Sequence, residues 1–438
     1  MPLTVFLTVV KGTLPQYLAQ YKQLRDRDYP VSRRAIRMIG VLDGSALLHR
    51  RLGLGSYTYN LYEALSRIGT EWDWHIVYPY WRRPFHDPES FDGRCAVHRI
   101  RLPGSLWRWL FLDGRLSVGM AVPGADIYHS PDPVGAWLKG GLTVLTVHDT
   151  LTTHPKWKAQ FPPPRPDVPA VAYALRSVGR ADRIITVSQS TKTDLLDCTD
   201  IDPARLTVIP YGVEPYFRPL AATQAEPVLT RYGITPREYL LFVGRVEPRK
   251  NLKVVIETLR LLRDEYGLQP PLVVCNGGWD PGYQEAKTLL EAHDLAAQVQ
   301  FVPYIEHHDM PALYSQAAAF VYPSLYEGFG LPPLEAMACG RPVVAADAAS
   351  VPEVVGEAGL LAPPRDPGAF AAAIGRVLTN STVQDTLRER GLERARRFSW
   401  EATARATIQV YRGEAVTDWD DRRSARGAHI ESTNAVGA

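Results

Sequence analysis

The chain has 438 residues, enough for two cores of ordinary size, because one core rarely grows past about 250–300 residues. Apolar residues make up 45% and charged residues 22%, which excludes a disordered chain; 49 basic against 47 acidic side chains leave a net charge of +2, so no overall field favours nucleic acid. Cys95, Cys198, Cys275 and Cys339 are widely spaced without a CxxC, which argues against a disulfide framework or zinc site and for a reducing compartment.

Residues 1–34 form an N-terminal extension with a basic excess: Lys11, Lys22, Arg25, Arg27, Arg33 and Arg34 against Asp26 and Asp28. Its start, Met1-Pro-Leu-Thr, has neither a charged leader nor a small-residue cleavage site. The longest apolar runs, Thr4–Val10 and Leu142–Val147, fall far short of the ~20 residues of a membrane helix. The expectation is a soluble, cytoplasmic protein.

From Ala35 onward, short β-branched runs alternate with helical patterns, the signature of parallel sheets in α/β layers. Strands are predicted at Ala35–Asp43, Trp74–Tyr80, Val97–Leu102, Asp126–His129, Leu142–His148, Arg183–Ser188 and Leu206–Ile209 in residues 35–214. Residues 215–238 contain Pro215, Pro219, Pro227 and Pro236 with little periodicity and read as a linker. Residues 239–397 supply strands at Tyr239–Gly244, Leu272–Asn276, Val299–Val302, Ala319–Pro323 and Pro342–Ala346. Leu252, Val255, Ile256, Leu259 and Leu262 mark a helix with one buried face. A terminal helix spans 398–413, and the polar tail 414–438 is expected to be disordered.

Several stretches carry chemistry. Gly53-Leu-Gly-Ser precedes a helix running to about Ile68, but it lacks the third glycine of a dinucleotide fingerprint and lies too far from its strand. Thr146-Val-His-Asp-Thr150 ends an apolar strand; His148 is either a satisfied structural histidine or a hydrogen-bonding group in a cleft. Gly244-Arg-Val-Glu-Pro-Arg-Lys-Asn251 follows a strand and opens a helix, with Arg245 and Lys250 suited to a diphosphate and Arg249 read as solvated surface. Val321-Tyr-Pro-Ser-Leu-Tyr-Glu-Gly-Phe-Gly-Leu-Pro-Pro-Leu-Glu335 reads as strand, glycine loop and helix. Gly328 and Gly330 let backbone amides approach a ligand, and the helix start suits an anion. Glu327 precedes the loop, and Glu335 is expected in the first helical turn. Glu353 is read as a helix cap. Asp26–Asp28 and Asp418–Asp420 lie in the flanks, so no metal site is expected. Arg99, Arg101, Trp107, Arg108 and Trp109 could seat a helix weakly at the inner face of a membrane, or belong to an ordinary packed helix.

From Ile36 to Tyr411 the sequence resembles the retaining glycosyltransferases of family 4, most specifically in Glu327-Gly-Phe-Gly-Leu-Pro-Pro-Leu-Glu335, which fits their Glu-x7-Glu signature. The resemblance implies the GT-B fold: two Rossmann-like domains with parallel sheets facing across a cleft, the first for acceptor and the second for nucleotide-sugar donor. It implies that Arg245 and Lys250 hold the diphosphate and that Glu327 meets the donor sugar. Glu335 would then bind the ribose hydroxyls, and the amides of Gly328, Phe329, Gly330 and Leu331 would line the donor site. His148 would lie near the transferred hexose, with Gly53 and Gly55 near the phosphates and acceptor. Donor expectations are GDP-mannose first and a UDP-hexose second, as substrate rather than cofactor, with a glycan or lipid-linked glycan as acceptor. A nucleotide-sugar epimerase of the same fold and a non-catalytic nucleotide-sugar binding protein remain as alternatives.

Overall fold

The computed structural model describes residues 37–48, 53–80, 90–102, 104–162, 168–235, 238–275 and 281–416. They fall into two compact units. The first comprises the described residues up to Thr146, those up to Ile185 that follow Pro166, and Ile408–Glu414. The second comprises those of Val147–Pro166 and Thr186–Thr407. The flanking Asp-x-Asp triplets and the whole basic N-terminal extension lie outside the described residues.

Thirteen strands are defined among the described residues: β1 (Met38–Asp43), β2 (Trp72–Tyr80), β3 (Cys95–Arg101), β4 (Ile127–Ser130), β5 (Leu142–Val147), β6 (Arg183–Thr186), β7 (Leu206–Val208), β8 (Tyr239–Val243), β9 (Leu272–Cys275), β10 (Val299–Val302), β11 (Ala317–Tyr322), β12 (Val343–Ala346) and β13 (Leu360–Ala362). They make a seven-stranded sheet, β3-β2-β1-β4-β5-β6-β7, and a six-stranded sheet, β10-β9-β8-β11-β12-β13. The registered pairs are parallel, such as Leu241 with Phe320 and Leu241 with Val273. The near-continuous apolar runs arise because both faces are covered: every residue of β8, β11 and β12 is buried.

In the second unit, the helix Leu252–Tyr266 buries Leu252, Val255, Ile256, Leu259 and Leu262, the face expected from spacing, and ends at Gly267 in the left-handed region (φ 64°). That face joins Leu240, Phe242, Val274, Val321 and Val344 in one core, each fully buried aliphatic stabilising by roughly 1.5–3 kcal/mol. The first unit packs Val41, Val77, Ile100, Phe111 and Tyr128 in its own core.

Three local readings change. The segment 215–238 contains a helix, Ala222–Arg231, with Pro227 inside it; Ala225 and Leu229 are fully buried and anchor it despite the proline. β13 was not foreseen, being only three residues at a sheet edge. Trp107 is core, 6% exposed and stacked on Phe111 at 4.2 Å between centroids, so it is not the membrane anchor considered above. The side chains of Arg101, Arg108 and Trp109 lie outside those described. Among the described residues, no helix is long and apolar enough to cross a membrane.

Candidate functional site

In the six-stranded sheet, β8 is followed by β9 and β10 on one side and by β11, β12 and β13 on the other. The chain therefore changes direction between β8 and β11, and the carboxyl ends of strands at such a switch point are where open α/β sheets receive ligands. The two most informative sequence stretches follow these two strands. After β8 come Gly244, Arg245 and a short 3-10 turn, Pro248–Lys250. After β11 come Pro323 to Gly330 and the helix Leu331–Ala338.

The two loops join through a buried ion cluster. Lys250 Nζ lies 2.6 Å from Glu327 Oε1, both side chains being 12% exposed. Arg249 Nη1 lies 2.9 Å from Glu327 Oε2 and also donates to the Tyr326 carbonyl at 3.1 Å. Lys250 donates a further bond to the Tyr322 hydroxyl at 3.0 Å. Burial pulls the Lys250 pKa below its ordinary value. Burial would push Glu327 up, but Lys250 and Arg249 outweigh it and hold this carboxyl below the usual range. Asn251, in the left-handed region (φ 58°), bridges the carbonyls of Pro323 and Pro364, tying the first loop to the second. Arg249 is thus a partner of Glu327, not solvated surface. Arg245 is the exposed cation, 65% accessible and paired with Glu247 at 3.1 Å.

The glycine loop is held from its carbonyl side. Ser350 Oγ donates to the carbonyls of Glu327 and Phe329, at 2.9 and 2.7 Å. Ser188 Oγ and Thr191 Oγ1 donate to the Gly328 carbonyl, at 2.6 and 3.1 Å. A Cβ on Gly328 would overlap the His148 carbonyl oxygen, so only glycine allows this approach. The same strand-end segment puts His148 Nδ1 in hydrogen-bond contact with the Tyr211 hydroxyl. Tyr211 packs on Phe329 with 4.8 Å between centroids. Asp149 accepts from the Leu151 amide at 2.9 Å, capping its own turn. Glu353 accepts from the amides of Gln189 and Ser190, both at 2.7 Å, and so caps the helix Gln189–Asp197, as its reading as a helix cap anticipated.

Gly330 adopts φ 114° as N-cap, so the helix already begins at Leu331, ahead of both prolines. Glu335 is consequently its fifth residue, just past the first turn where it was expected, and it does not neutralise the helix start. Its side chain is 7% exposed; Oε2 accepts from the Tyr314 hydroxyl at 2.8 Å and Oε1 lies 3.4 Å from His307 Nε2. Sequence reasoning missed His307, Glu214 and Tyr216. Burial disfavours charge on His307, but the bond to Glu335 and the carboxylates of Glu335 and Glu214 raise its pKa overall.

The structure therefore brings together Glu327, Lys250, Gly328, Phe329, Gly330, Leu331 and the His148 backbone in the second unit. Gly53 and Gly55 belong to the first unit. Gly53 (φ 53°) is the N-cap of the helix Leu54–Ile68, with open space where a Cβ would stand, while Gly55 is a buried residue within that helix. Among the described residues, no group of three or more His, Cys, Asp or Glu side chains is arranged to hold a metal ion.

Comparison with known proteins matches residues 231–397 to the family model described as glycosyl transferases group 1, and residues 52–217 to that of glycosyltransferase family 4. The O-antigen chain mannosyltransferase B of Escherichia coli is 34% identical over 291 residues, which cover 65% of this chain and 74% of that protein. The D-inositol 3-phosphate glycosyltransferase of Salinispora arenicola is 32% identical over 348 residues, covering 75% of this chain and 78% of the relative. Among solved structures, Anabaena HepE in complex with UDP and glucose superposes with a TM-score of 0.65 at 17% identity, covering 86% of this chain and all (100%) of HepE.

Proposed function

The chain belongs to the family-4 glycosyltransferases and has their GT-B fold, and from that premise we propose that it transfers mannose from GDP-mannose to a hydroxyl of a glycan or lipid-linked glycan, with retained anomeric configuration. The observation that carries the reading is the buried Lys250–Glu327 pair beside the switch point, next to the start of the helix Leu331–Ala338. A cation desolvated to this degree interacts strongly with a diphosphate, and fixed donors stabilise charge that grows on the leaving oxygen. The mannosyltransferase relative supports the choice of sugar and a polysaccharide acceptor.

In this reading Lys250 and Arg245 receive the diphosphate, with the amides of Gly328 to Leu331 completing its cradle. Arg249 keeps Glu327 ionised and aimed while Lys250 shifts attention to phosphate. Glu327 then meets the sugar hydroxyls or supports positive charge at the anomeric carbon. Glu335 binds the ribose, and His148 meets the hexose or the acceptor. The departing phosphate takes the acceptor proton on the same face, so no protein nucleophile is needed. Two cations and a helix start supply the neutralisation that a divalent ion would otherwise give. Activity is accordingly expected to survive exhaustive EDTA treatment; loss restored by Mg²⁺ would overturn that part. A lipid-linked acceptor would bring the protein to the inner membrane face, which co-sedimentation with anionic vesicles at low salt tests.

UDP-hexose is the second donor reading, favoured by the UDP and glucose bound to HepE. A thermal-shift screen of nucleotide sugars separates them, because a ligand at 100 times its Kd adds ~2.7 kcal/mol. GDP-mannose should give the largest shift. Stabilisation by UDP-hexoses alone would reverse the assignment. Isomerised sugar from donor incubated alone would instead indicate an epimerase, and binding without turnover a non-catalytic nucleotide-sugar protein.

A further inference from the structure

We propose that His307 is a positioning residue for Glu335, fixing its carboxylate so that the lone pairs left over are offered to the hydroxyls of a ligand. This rests on the reading of Glu335 as the ribose partner. An ionised carboxylate has about four acceptor sites. Tyr314 occupies one on Oε2 at 2.8 Å, and His307 approaches Oε1 at 3.4 Å, so two directions are fixed and the rest remain for ligand. A lone Tyr314 bond would leave the carboxylate free to rotate about it; the second contact removes that freedom.

His307 is itself held from the other ring nitrogen. The Tyr216 hydroxyl lies 2.6 Å from Nδ1, and Glu214 Oε1 lies 3.9 Å from the same atom. Phe217 packs edge-on against the imidazole at 5.3 Å between centroids and against Tyr314 at 6.1 Å. The imidazole thus spans two segments that are far apart in sequence, 214–217 and the helix carrying Glu335. Only a side chain with polar atoms on two sides can do this. With Tyr216 donating to Nδ1, a neutral ring still presents Nε2–H to Glu335, so the clamp operates in either protonation state. The adjacent His308 does not share the role: its side chain is 72% exposed and faces Asp309.

The test is calorimetric binding of GDP, UDP and inorganic pyrophosphate to the full chain and to His307→Ala, His307→Gln and Glu335→Ala. Pyrophosphate lacks the ribose, so a general collapse of the site would weaken all three ligands, whereas loss of carboxylate orientation would spare it. His307→Ala should weaken the preferred nucleotide about tenfold, near 1.4 kcal/mol, with pyrophosphate affinity unchanged. His307→Gln, which keeps a side-chain N–H, should recover most of that loss. Adding His307→Ala to Glu335→Ala should cost no more than Glu335→Ala alone. Should His307→Ala not fold, Tyr216→Phe, which removes only the hydroxyl at Nδ1, should weaken the nucleotide two- to threefold and spare pyrophosphate. Equal weakening of pyrophosphate, or unchanged nucleotide affinity while Glu335→Ala is impaired, overturns the role of His307 alone. Unchanged nucleotide affinity in Glu335→Ala, or no nucleotide binding by the parent protein, overturns the ribose reading and this inference with it.

Discussion

Glu327 neutralises two cations at once, and this asymmetry sets how the cluster should respond to truncation. Replacing Glu327 by Gln leaves Lys250 with the Tyr322 hydroxyl at 3.0 Å and Arg249 with Glu247 at 3.5 Å. Replacing Lys250 by Met leaves Glu327 still paired to Arg249 at 2.9 Å. Breaking a buried pair from one side costs about 3–5 kcal/mol when the remaining charge is uncompensated. Glu327→Gln should therefore cost about 3 kcal/mol, tempered because the burial-lowered Lys250 gives up its proton more readily. Lys250→Met should cost only about 1–2 kcal/mol, since its orphan keeps a partner. The double variant should fall short of the sum by at least about 1 kcal/mol, as expected for residues in one network. Equilibrium urea unfolding of the nucleotide-free protein, read by fluorescence, measures all three. Equal or greater cost for Lys250→Met, or additivity within about 0.3 kcal/mol, would refute the assignment of Arg249 as the second clamp on Glu327.

Turnover should fall ~10²–10³-fold in Lys250→Ala, the typical effect of losing one preorganised donor, and less in Arg245→Ala, whose exposed side chain is more heavily screened; steady-state rates with saturating donor decide this. Gly328→Ala should destabilise by about 1–3 kcal/mol and impair activity, because its Cβ meets a backbone carbonyl rather than a yielding side chain; a wild-type melting curve with wild-type rates would contradict it. Burial and the neighbouring His75 push the His98 pKa down to about 4. The fold prefers this ring neutral, so its contribution is full above the ordinary value of 6.5 and is lost as pH falls toward 4. His98→Asn should flatten the unfolding midpoint between pH 7 and pH 4.5 relative to the parent, and an identical slope would exclude this contribution.

The sheets were legible because buried parallel strands leave continuous apolar runs, as in Tyr239–Val243 and Ala317–Tyr322. The helix Leu252–Tyr266 was legible through its apolar spacing. The loops bearing Lys250, Glu327 and Gly328 were visible because glycine, proline and charge cluster at strand ends. What stayed hidden depends on long-range pairing. Arg249 looks like any surface cation until β8 and β11 become neighbours and deliver Glu327 to it. His307 sits in a polar Glu306-His-His-Asp309 run with no local cue to Glu335. The depth of Glu335 turned on one backbone angle, the φ of 114° at Gly330, which starts the helix at Leu331, ahead of both prolines, and so leaves Glu335 beyond the first turn.

The reading proposed for the loops after β8 and β11 is that they drive retaining transfer from a nucleoside-diphosphate sugar. It is tested most directly by nuclear magnetic resonance of GDP-mannose labelled at the anomeric carbon, incubated with the protein and alkyl mannoside acceptors. An α-linked product formed in step with GDP release is expected, with both slowed ~10²–10³-fold in Lys250→Ala. A β-linked product, or transfer that persists at the parent rate in Lys250→Ala, would contradict it.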